Sequence, residues 1–237
     1  MSEYYPVIAL AETWLDGDIN DCELFSNKYV VYRTDRNERN SSKKRGGGVL
    51  IAVRSDIKSR LLNIAAPELE EVWVTIQFGK INYCLGTVYI QPSMDSSVYA
   101  AHLETVERAC NHCDKIMVLG DFNLPQIQWS IAEDYIGLLP GNVKSDSEII
   151  LCDNMAFYGM SQFNMVGNSN GNILDLCFCN FAVNSVTSSV GLVNCDPYHP
   201  PLEICMTIEK GKYLDNNTVW YFDFKNILIL RMLTLLA

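Results

Sequence analysis

The stretch that decides the fold reads KIMVLGDFN over residues 115–123: an apolar run that ends at a glycine and is followed by an acid and an amide. A short apolar run bounded in this way is typical of a buried β-strand, so we predict a strand over 115–119. Asp121 and Asn123 then follow the end of that strand. A single acid in this position is most often a turn or cap residue, so the motif alone does not define a function.

Hydrophobic periodicity on both sides of this stretch predicts more strands and two helices. Residues 72–78 alternate between apolar and polar, and an apolar run over 81–90 follows after two residues, which predicts a hairpin. One helix is predicted over about 96–112, and a second over 145–159, between a capping box and a glycine. Further strands are predicted at 7–10, 49–53, 172–179, 186–193 and 202–208. This order favours an α/β or α+β fold with sheets at its centre.

The composition restricts the classes of protein to which the chain can belong. Its 237 residues include 28 acidic and 18 basic side chains, nine cysteines and 49% apolar residues. Length and apolar content predict one folded domain and exclude a disordered chain, and cysteines without regular spacing indicate a reducing compartment. The sequence has neither a secretory signal nor a run of about 20 apolar residues. We therefore expect a soluble intracellular protein, nuclear or cytoplasmic, without a membrane partner.

The charge is unevenly distributed along the chain. Residues 28–60 carry ten basic side chains against three acidic ones, so this stretch is +7 and the remainder −17 of the total −10. The overall charge argues against a nucleic-acid-binding protein, yet a local basic stretch on an acidic body can follow a phosphate backbone. A solvated loop explains the pattern equally well, and both interpretations stay open.

Acidic residues at predicted strand ends form a second recurring feature. Glu12 ends the first apolar strand, and Asp175 lies in an apolar strand where a lone carboxylate is costly. Asp196 and His199 follow within Asp-Pro-Tyr-His. Together with Asp121, these carboxylates around one histidine suit a hard cation, which supports attack of water on a phosphodiester. Each residue alone has an ordinary explanation as a turn, cap or surface residue, so only the combination points to a metal-dependent hydrolase.

The order of these motifs resembles the endonuclease/exonuclease/phosphatase family, and more narrowly the endonuclease domain of non-LTR (LINE-type, jockey-like) retrotransposons. The matching stretches, in family order, are 11–15, 33–36, 45–49, 89–93, 120–123, 161–164, 172–176 and 196–202. The resemblance covers roughly residues 5–208. It implies a four-layer α/β/β/α sandwich of two mixed sheets, with one active site at the strand ends.

The resemblance also implies a metal site and an acid–base pair. Glu12 is similar in position to the metal-binding glutamate, and Asp196 to a second metal ligand or helper carboxylate. His199 would bind the phosphate and act in acid–base catalysis, with Asp175 orienting it. The expected cofactor is Mg²⁺, with Mn²⁺ as an alternative.

The remaining roles implied by the resemblance concern the substrate. Asp121 would activate or orient the attacking water, Asn123 would hold the phosphate or the transition state, and Tyr89 would touch the scissile phosphate. Contacts to nucleic acid are expected from Arg33, Arg36, Lys43, Lys44 and Arg45. The implied macromolecular partner is DNA.

The sequence departs from the family pattern in two places. Family members begin with an extra strand and helix before the glutamate strand, and this extra strand carries an asparagine near the metal. Here the chain starts close to the glutamate strand, so we expect that ligand and an interior strand of one sheet to be missing. In addition, Pro197 and Tyr198 separate an acid and a histidine that are adjacent in the family. Residues 1–208 are therefore predicted to form a shortened domain, and 209–237 a linker or unmatched tail.

Three functions are compatible with these observations. The leading hypothesis is a Mg²⁺-dependent DNA endonuclease that nicks target DNA for non-LTR retrotransposition, with a reverse transcriptase domain as partner on a longer parent chain. A phosphatase or RNase of the same superfamily would share the chemistry, but the Trp-Leu pair after Glu12 and the arginine and glycine motifs favour the endonuclease. A catalytically inactive, degenerate transposon-derived remnant is the third hypothesis, which the missing strand and the apolar tail favour.

Overall fold

Two β-sheets stacked face to face form the centre of the computed structural model, which describes residues 5–133, 135–187, 197–207 and 227–234. The six-stranded sheet contains, in spatial order, β12 (Asn184–Thr187), β13 (Leu202–Thr207), β14 (Ile227–Thr234), β1 (Val7–Ala11), β3 (Val49–Arg54) and β2 (Tyr29–Thr34). The eight-stranded sheet contains β4 (Ser59–Leu61), β5 (Glu70–Phe78), β6 (Ile81–Tyr89), β7 (Lys115–Asp121), β11 (Asp175–Cys179), β10 (Ser161–Gln162), β9 (Leu138–Gly141) and β8 (Gln128–Ile131).

The space between the two sheets is filled by alternate residues of the central strands. In β1 the side chains of Val7, Ala9 and Ala11 belong to this inter-sheet core, while Ile8 and Leu10 pack on the outer face. All five are buried. Because both faces of β1 are covered, its sequence is continuously apolar rather than alternating.

Helices cover the outer face of the eight-stranded sheet. Leu103 of α2 (Ser96–Cys110) and Leu151 of α3 (Asp146–Phe157) pack against it in a second apolar cluster. On the outer face of the six-stranded sheet, the described residues include the short helix α1 (Asp21–Leu24). The order helix, sheet, sheet, helix confirms the predicted sandwich. No helix in the described part of the chain is long and apolar enough to cross a membrane.

Most of the predicted elements are present, with shifted ends. The strand predicted over 115–119 continues to Asp121 as β7, and the predicted hairpin forms between β5 and β6. The capping box at the start of α3 is formed, since Ser145 accepts the Glu148 N–H and the Glu148 carboxylate accepts the Ser145 N–H. Of the strand predicted over 186–193, only the part within β12 lies among the described residues.

The C-terminal part of the chain differs from the expected linker or unmatched tail. Ile227–Thr234 forms β14, an interior strand that pairs parallel with β1 and antiparallel with β13. From the sequence we expected an interior strand beside β1, the strand that leads to Glu12, to be missing. In the structure, β14 from the other end of the chain fills this position. Backbone groups of β1 and β13 that would otherwise lie at sheet edges are paired.

Candidate active site

Three of the predicted site residues lie in one row across neighbouring strands of the eight-stranded sheet. Parallel pairing of β6 with β7 places Tyr89 beside Asp121, and antiparallel pairing of β7 with β11 places Asp175 on the other side of Asp121. Residues in register share a face of the sheet, so the three side chains point the same way. Leu119, two residues before Asp121, and Cys177, two residues after Asp175, belong to the inter-sheet core. The row therefore lies at one end of that core.

The turn after β7 fixes the Asp121 carboxylate, which is 1% exposed. The Asn123 backbone N–H donates to Asp121 Oδ1 at 3.0 Å, and the Asn123 side-chain amide donates to Oδ2 at 2.7 Å. Asn123 has a positive φ of 51°, a conformation that asparagine adopts more readily than most residues. Its amide also donates to the Ile90 carbonyl at 2.9 Å, and the Tyr99 hydroxyl donates to the Phe122 carbonyl at 2.8 Å. The turn is thus held by the residue that follows β6 and by α2.

The electrostatic environment of Asp121 makes its carboxylate more basic than that of an ordinary aspartate. Its pKa lies well above the usual value for an aspartate, because burial disfavours the charged form and the negative charge of Asp175 adds to this effect. The charge of Glu12 acts in the same direction to a smaller extent, while His199 opposes it. A carboxylate with a raised pKa is a better proton acceptor than an ordinary aspartate.

His199 lies between the two aspartates of the row. Its Nδ1 is 3.0 Å from Asp175 Oδ2, and its Nε2 is 3.9 Å from Asp121 Oδ2. Donation of the Nδ1–H to Asp175 fixes the orientation of the imidazole and leaves Nε2 directed toward Asp121. The histidine and both aspartates meet even though Pro197 and Tyr198 change the spacing of the last motif.

Glu12 reaches the same region from the other sheet. It directly follows β1 and has a positive φ of 51°. The Tyr89 hydroxyl and the Glu12 carboxylate are close enough to interact. Burial raises the pKa of Tyr89 most, and the interaction with Glu12 raises it further. Glu12 and Tyr89 therefore connect the two sheets at the mouth of the inter-sheet core.

The donor set of this region fits a divalent cation that prefers oxygen ligands. Ligand atoms of Asp121, Asp175 and His199 lie within 4.8 Å of one another, so these residues could hold a metal ion. Glu12, whose charge acts on the pKa of Asp121, offers a further carboxylate. Asp196, a predicted metal ligand, lies outside the described residues. A set dominated by carboxylate oxygens suits Mg²⁺ or Mn²⁺ better than softer metals.

Two of the three arginines predicted to contact nucleic acid are engaged within the protein. Arg33 lies 3.3 Å from the carboxylates of both Asp21 and Asp35, and its side chain is 16% exposed. Arg36 lies 2.8 Å from the Glu70 carboxylate, and its side chain is 5% exposed. The structure therefore gives both arginines partners that the sequence analysis did not identify.

The other three predicted nucleic-acid contacts are exposed beside the site. Lys43, Lys44 and Arg45 lie in the loop between β2 and β3. In the same loop the Ser41 hydroxyl accepts a hydrogen bond of 3.1 Å from the side-chain amide of Gln91, which is two residues beyond the end of β6. This contact holds the basic loop near the row of site residues.

Comparison with solved structures finds a similar fold in known nucleases. The endonuclease domain of TRAS1, a telomere-specific non-LTR retrotransposon, matches with a TM-score of 0.51 and 15% identity, over 74% of this chain and 72% of that chain. The 3′–5′ exonuclease NExo from Neisseria meningitidis matches with a TM-score of 0.50 and 16% identity, over 79% of this chain and 84% of that chain. The chain has the endonuclease/exonuclease/phosphatase fold. The resemblance stated from the sequence is thereby confirmed at the level of the fold, which is all that identities this low establish.

Matches at the level of sequence are absent. No protein-family model matches the chain, and no curated protein matches it. The row of Tyr89, Asp121 and Asp175 with His199 is therefore established by the geometry of this chain, and not by sequence similarity to a known protein.

Two residues that the sequence analysis did not single out take part in the site. Glu70 pairs with Arg36, and Tyr99 supports the turn after Asp121. Glu70 continues the alternation of the strand residues 72–78 onto the inward face, and an acid at such a position requires a buried partner. That pattern could have indicated Glu70. Tyr99 gave no comparable signal, because its partner is a backbone carbonyl in a distant turn.

Proposed function

We propose that this chain is a metal-dependent phosphodiesterase that acts as a DNA endonuclease and nicks target DNA for non-LTR retrotransposition. The observation that carries the proposal is the row of Tyr89, Asp121 and Asp175, with His199 held by Asp175 and directed at Asp121. The fold shared with the TRAS1 endonuclease domain supports it. A reverse transcriptase domain on a longer parent chain is the partner that such a role implies.

Asp121 and His199 are placed to act on the attacking water and the phosphate. In hydrolysis the water oxygen forms a bond to phosphorus, the bond from phosphorus to the leaving oxygen breaks, and the water gives up a proton. The buried Asp121 carboxylate, held by Asn123, accepts that proton, while the protonated imidazole of His199 donates its Nε2–H to the phosphate. The leaving oxygen takes this proton from His199, so the products are a hydroxyl and a phosphate monoester.

Glu12, Tyr89 and Asn123 complete the proposed site. Glu12 would hold the metal together with Asp196, and Tyr89, which interacts with Glu12, would touch the scissile phosphate. A bound Mg²⁺ or Mn²⁺ would supply charge neutralisation for the oxygens of the phosphate. The Asn123 side chain donates its two amide hydrogens to Asp121 and to the Ile90 carbonyl, and it would hold the phosphate or the transition state by exchanging one of these bonds.

Plasmid nicking tests this proposal directly. Purified chain with Mg²⁺ should convert supercoiled plasmid to the nicked circle, and EDTA should abolish the conversion. Asp121→Ala should nick at least about a hundredfold more slowly, because it lacks the proton acceptor. Equal rates for the wild type and Asp121→Ala would contradict the proposal. Parallel assays on RNA and on inositol phosphates identify a phosphatase or RNase of the same superfamily, and absence of all three activities identifies an inactive remnant.

The basic loop supplies a second prediction, on DNA affinity rather than chemistry. The double variant Lys43→Ala/Lys44→Ala should weaken DNA binding and lower the slope of log K against log salt by about 1.8, at about 0.9 per phosphate contact. The catalytic rate at saturating DNA should change less than about twofold, because neither lysine touches the row of site residues. Fluorescence anisotropy with labelled duplex at several salt concentrations measures the slope.

Lys80→Ala provides the matched control for this loop. Lys80 is exposed in the turn between β5 and β6, at the opposite end of β6 from Tyr89. Its removal changes the net charge in the same sense without touching the loop. A change of slope for Lys80→Ala as large as half of the change for the double variant would show that only the overall charge matters.

A further inference from the structure

A buried ion pair lies beneath the loop that precedes β3. Arg36 Nε donates to Glu70 Oε1 at 2.8 Å, and the two side chains are 5% and 2% exposed. Burial raises the pKa of Glu70, an effect that Arg36 opposes. Taking both charges out of water is costly unless their remaining hydrogen-bonding groups also find partners. The further partners of the two side chains therefore show which part of the protein the ion pair holds in place.

The pair is hydrogen-bonded to the backbone of this loop at two points. The second carboxylate oxygen of Glu70 accepts the N–H of Gly48, and Arg36 Nη1 donates to the carbonyl of Arg45 at 2.6 Å. Gly47 lies directly against the pair with a φ of 68°, and a Cβ at this residue would overlap both the carboxylate and the guanidinium. The close approach therefore requires glycine here.

The same loop holds the residues that follow Glu12. The Thr13 N–H donates to the Gly48 carbonyl at 3.2 Å, and the Trp14 N–H donates to the Gly47 carbonyl at 2.8 Å. Glu12 and Trp14 have positive φ values of 51° and 56°. Such conformations are unfavourable for these residue types and persist where the surroundings impose them. The two hydrogen bonds from the loop, which the ion pair in turn holds, help to keep Glu12 and Trp14 in these conformations.

The ion pair also contacts Tyr89, the residue that interacts with Glu12. The guanidinium carbon of Arg36 lies 5.8 Å from the centre of the Tyr89 ring, within the range of a cation–π contact. The Tyr89 hydroxyl in turn interacts with the Glu12 carboxylate. Arg36 therefore acts on Tyr89 directly and on Glu12 through the glycine loop.

We infer that Arg36 and Glu70 are positioning residues for the proposed phosphodiester cleavage, fixing Glu12 and Tyr89 in the geometry that the reaction requires. This inference rests on the proposed function. It assigns Arg36 a role different from the DNA contact expected from the sequence, since its side chain is engaged with Glu70, Arg45 and Tyr89. Displacement of a reacting group by about 1 Å can cost about a hundredfold in rate, so a positioning pair has a measurable effect.

Kinetics of Arg36→Ala separate positioning from DNA binding. We expect kcat for plasmid nicking to fall by about a hundredfold, with KM for DNA changed less than about threefold and the salt slope of binding unchanged. A direct phosphate contact would instead raise KM at nearly constant kcat and lower the salt slope by about 0.9. Arg36→Lys should recover part of the lost kcat, because lysine keeps the positive charge beside Glu70. The recovery should be incomplete, because lysine lacks the planar guanidinium that bonds Glu70 and the Arg45 carbonyl together.

Glu70→Gln and Arg54→Ala complete the set of variants. Glu70→Gln keeps the shape of the side chain and should lower kcat by about tenfold, so it tests the inference even if Arg36→Ala folds poorly. Arg54→Ala removes a different ion pair, to Asp56 at 2.6 Å, at the end of β3 away from the glycine loop, and should leave kcat unchanged. Urea unfolding gives the folded fraction by which each kcat is corrected.

Amide hydrogen exchange of Thr13 and Trp14 gives a readout independent of activity. Both amides should exchange faster in Arg36→Ala and Glu70→Gln than in the wild type and Arg54→Ala. Unchanged exchange, or a wild-type kcat in folded Arg36→Ala, would overturn the inference. If the wild-type chain does not nick DNA, the proposed function fails, while the exchange data still decide whether the pair holds the residues after Glu12.

Discussion

Replacing His199 with alanine is expected to slow plasmid nicking by about 10³–10⁴-fold while DNA affinity changes only a few fold. The reason is the position of the imidazole, whose Nε2 lies 3.9 Å from Asp121 and at the surface where the phosphate would sit. General acid–base groups contribute about 10²–10⁴-fold, and this one also contacts the phosphate. Single-turnover nicking of supercoiled plasmid measures the rate, and anisotropy of a labelled duplex measures the affinity.

The partner of the histidine makes this prediction specific. Asp175→Asn should lower the rate by about 10²-fold, because asparagine can hold the ring in the wrong orientation or tautomer. If Asp175 acts through His199, the double variant His199→Ala/Asp175→Asn is no slower than His199→Ala alone. Effects that multiply would show that Asp175 acts independently and would contradict the assignment of the pair.

Metal titration separates this assignment from the alternative in which Asp121, Asp175 and His199 hold the cation together. If Asp175 is a metal ligand, Asp175→Asn requires more than about tenfold higher Mg²⁺ for half-maximal rate, and excess Mg²⁺ restores the rate. If Asp175 orients His199, as its hydrogen bond of 3.0 Å indicates, the Mg²⁺ dependence stays as in the wild type and excess metal restores nothing.

Local sequence patterns were sufficient for the elements that carry the site. The apolar run ending at Gly120 predicted β7, and the capping box at Ser145 predicted the start of α3, because each depends on residues within one turn or strand. Asp121 at the end of a buried strand and Asp175 in an apolar segment were recognisable candidates for the same reason. Buried acids are costly, and their positions in apolar segments are visible in the sequence.

The arrangement of the site could not be predicted from local patterns. Tyr89, Asp121 and Asp175 share a row only because β6, β7 and β11 are neighbours in this register, and a shift of one residue would turn a side chain to the other face. The ion pair of Arg36 was also hidden, since Glu70 lies in a different sheet of the sandwich. From the sequence alone, an arginine in a basic stretch looks the same whether it faces solvent or a buried acid.

The C-terminal strand β14 shows most clearly that local sequence patterns do not identify the partners of a strand. An apolar segment of eight residues has no periodicity that identifies its partners, so 227–234 could only be described as unmatched. Its position between β1 and β13 depends on pairing with residues near the other end of the chain. That position has consequences for the site, because Glu12 directly follows β1 and His199 lies three residues before β13.

Removal of residues 227–237 is therefore expected to abolish cooperative folding and, with it, nicking. β14 makes five register pairs with β1 and six with β13, and its loss leaves both strands with unpaired edges. At about 0.5–1.5 kcal/mol net per hydrogen bond, such a loss is comparable with the whole free energy of unfolding of a domain, about 5–15 kcal/mol. Urea unfolding should change from one steep transition to a broad one with a reduced m-value.

A point variant in the full-length chain separates loss of pairing from loss of length. Ile229→Pro removes a backbone donor in the middle of β14, opposite Cys205, and should destabilise the chain by about 3 kcal/mol or more, whereas Ile229→Val keeps the backbone and should unfold close to the wild-type midpoint. A shortened chain with the midpoint and m-value of the wild type would show that β14 is dispensable. In that case Glu12 and His199 would be held by the rest of the six-stranded sheet, and the strand that joins β1 to β13 would have no part in assembling the site.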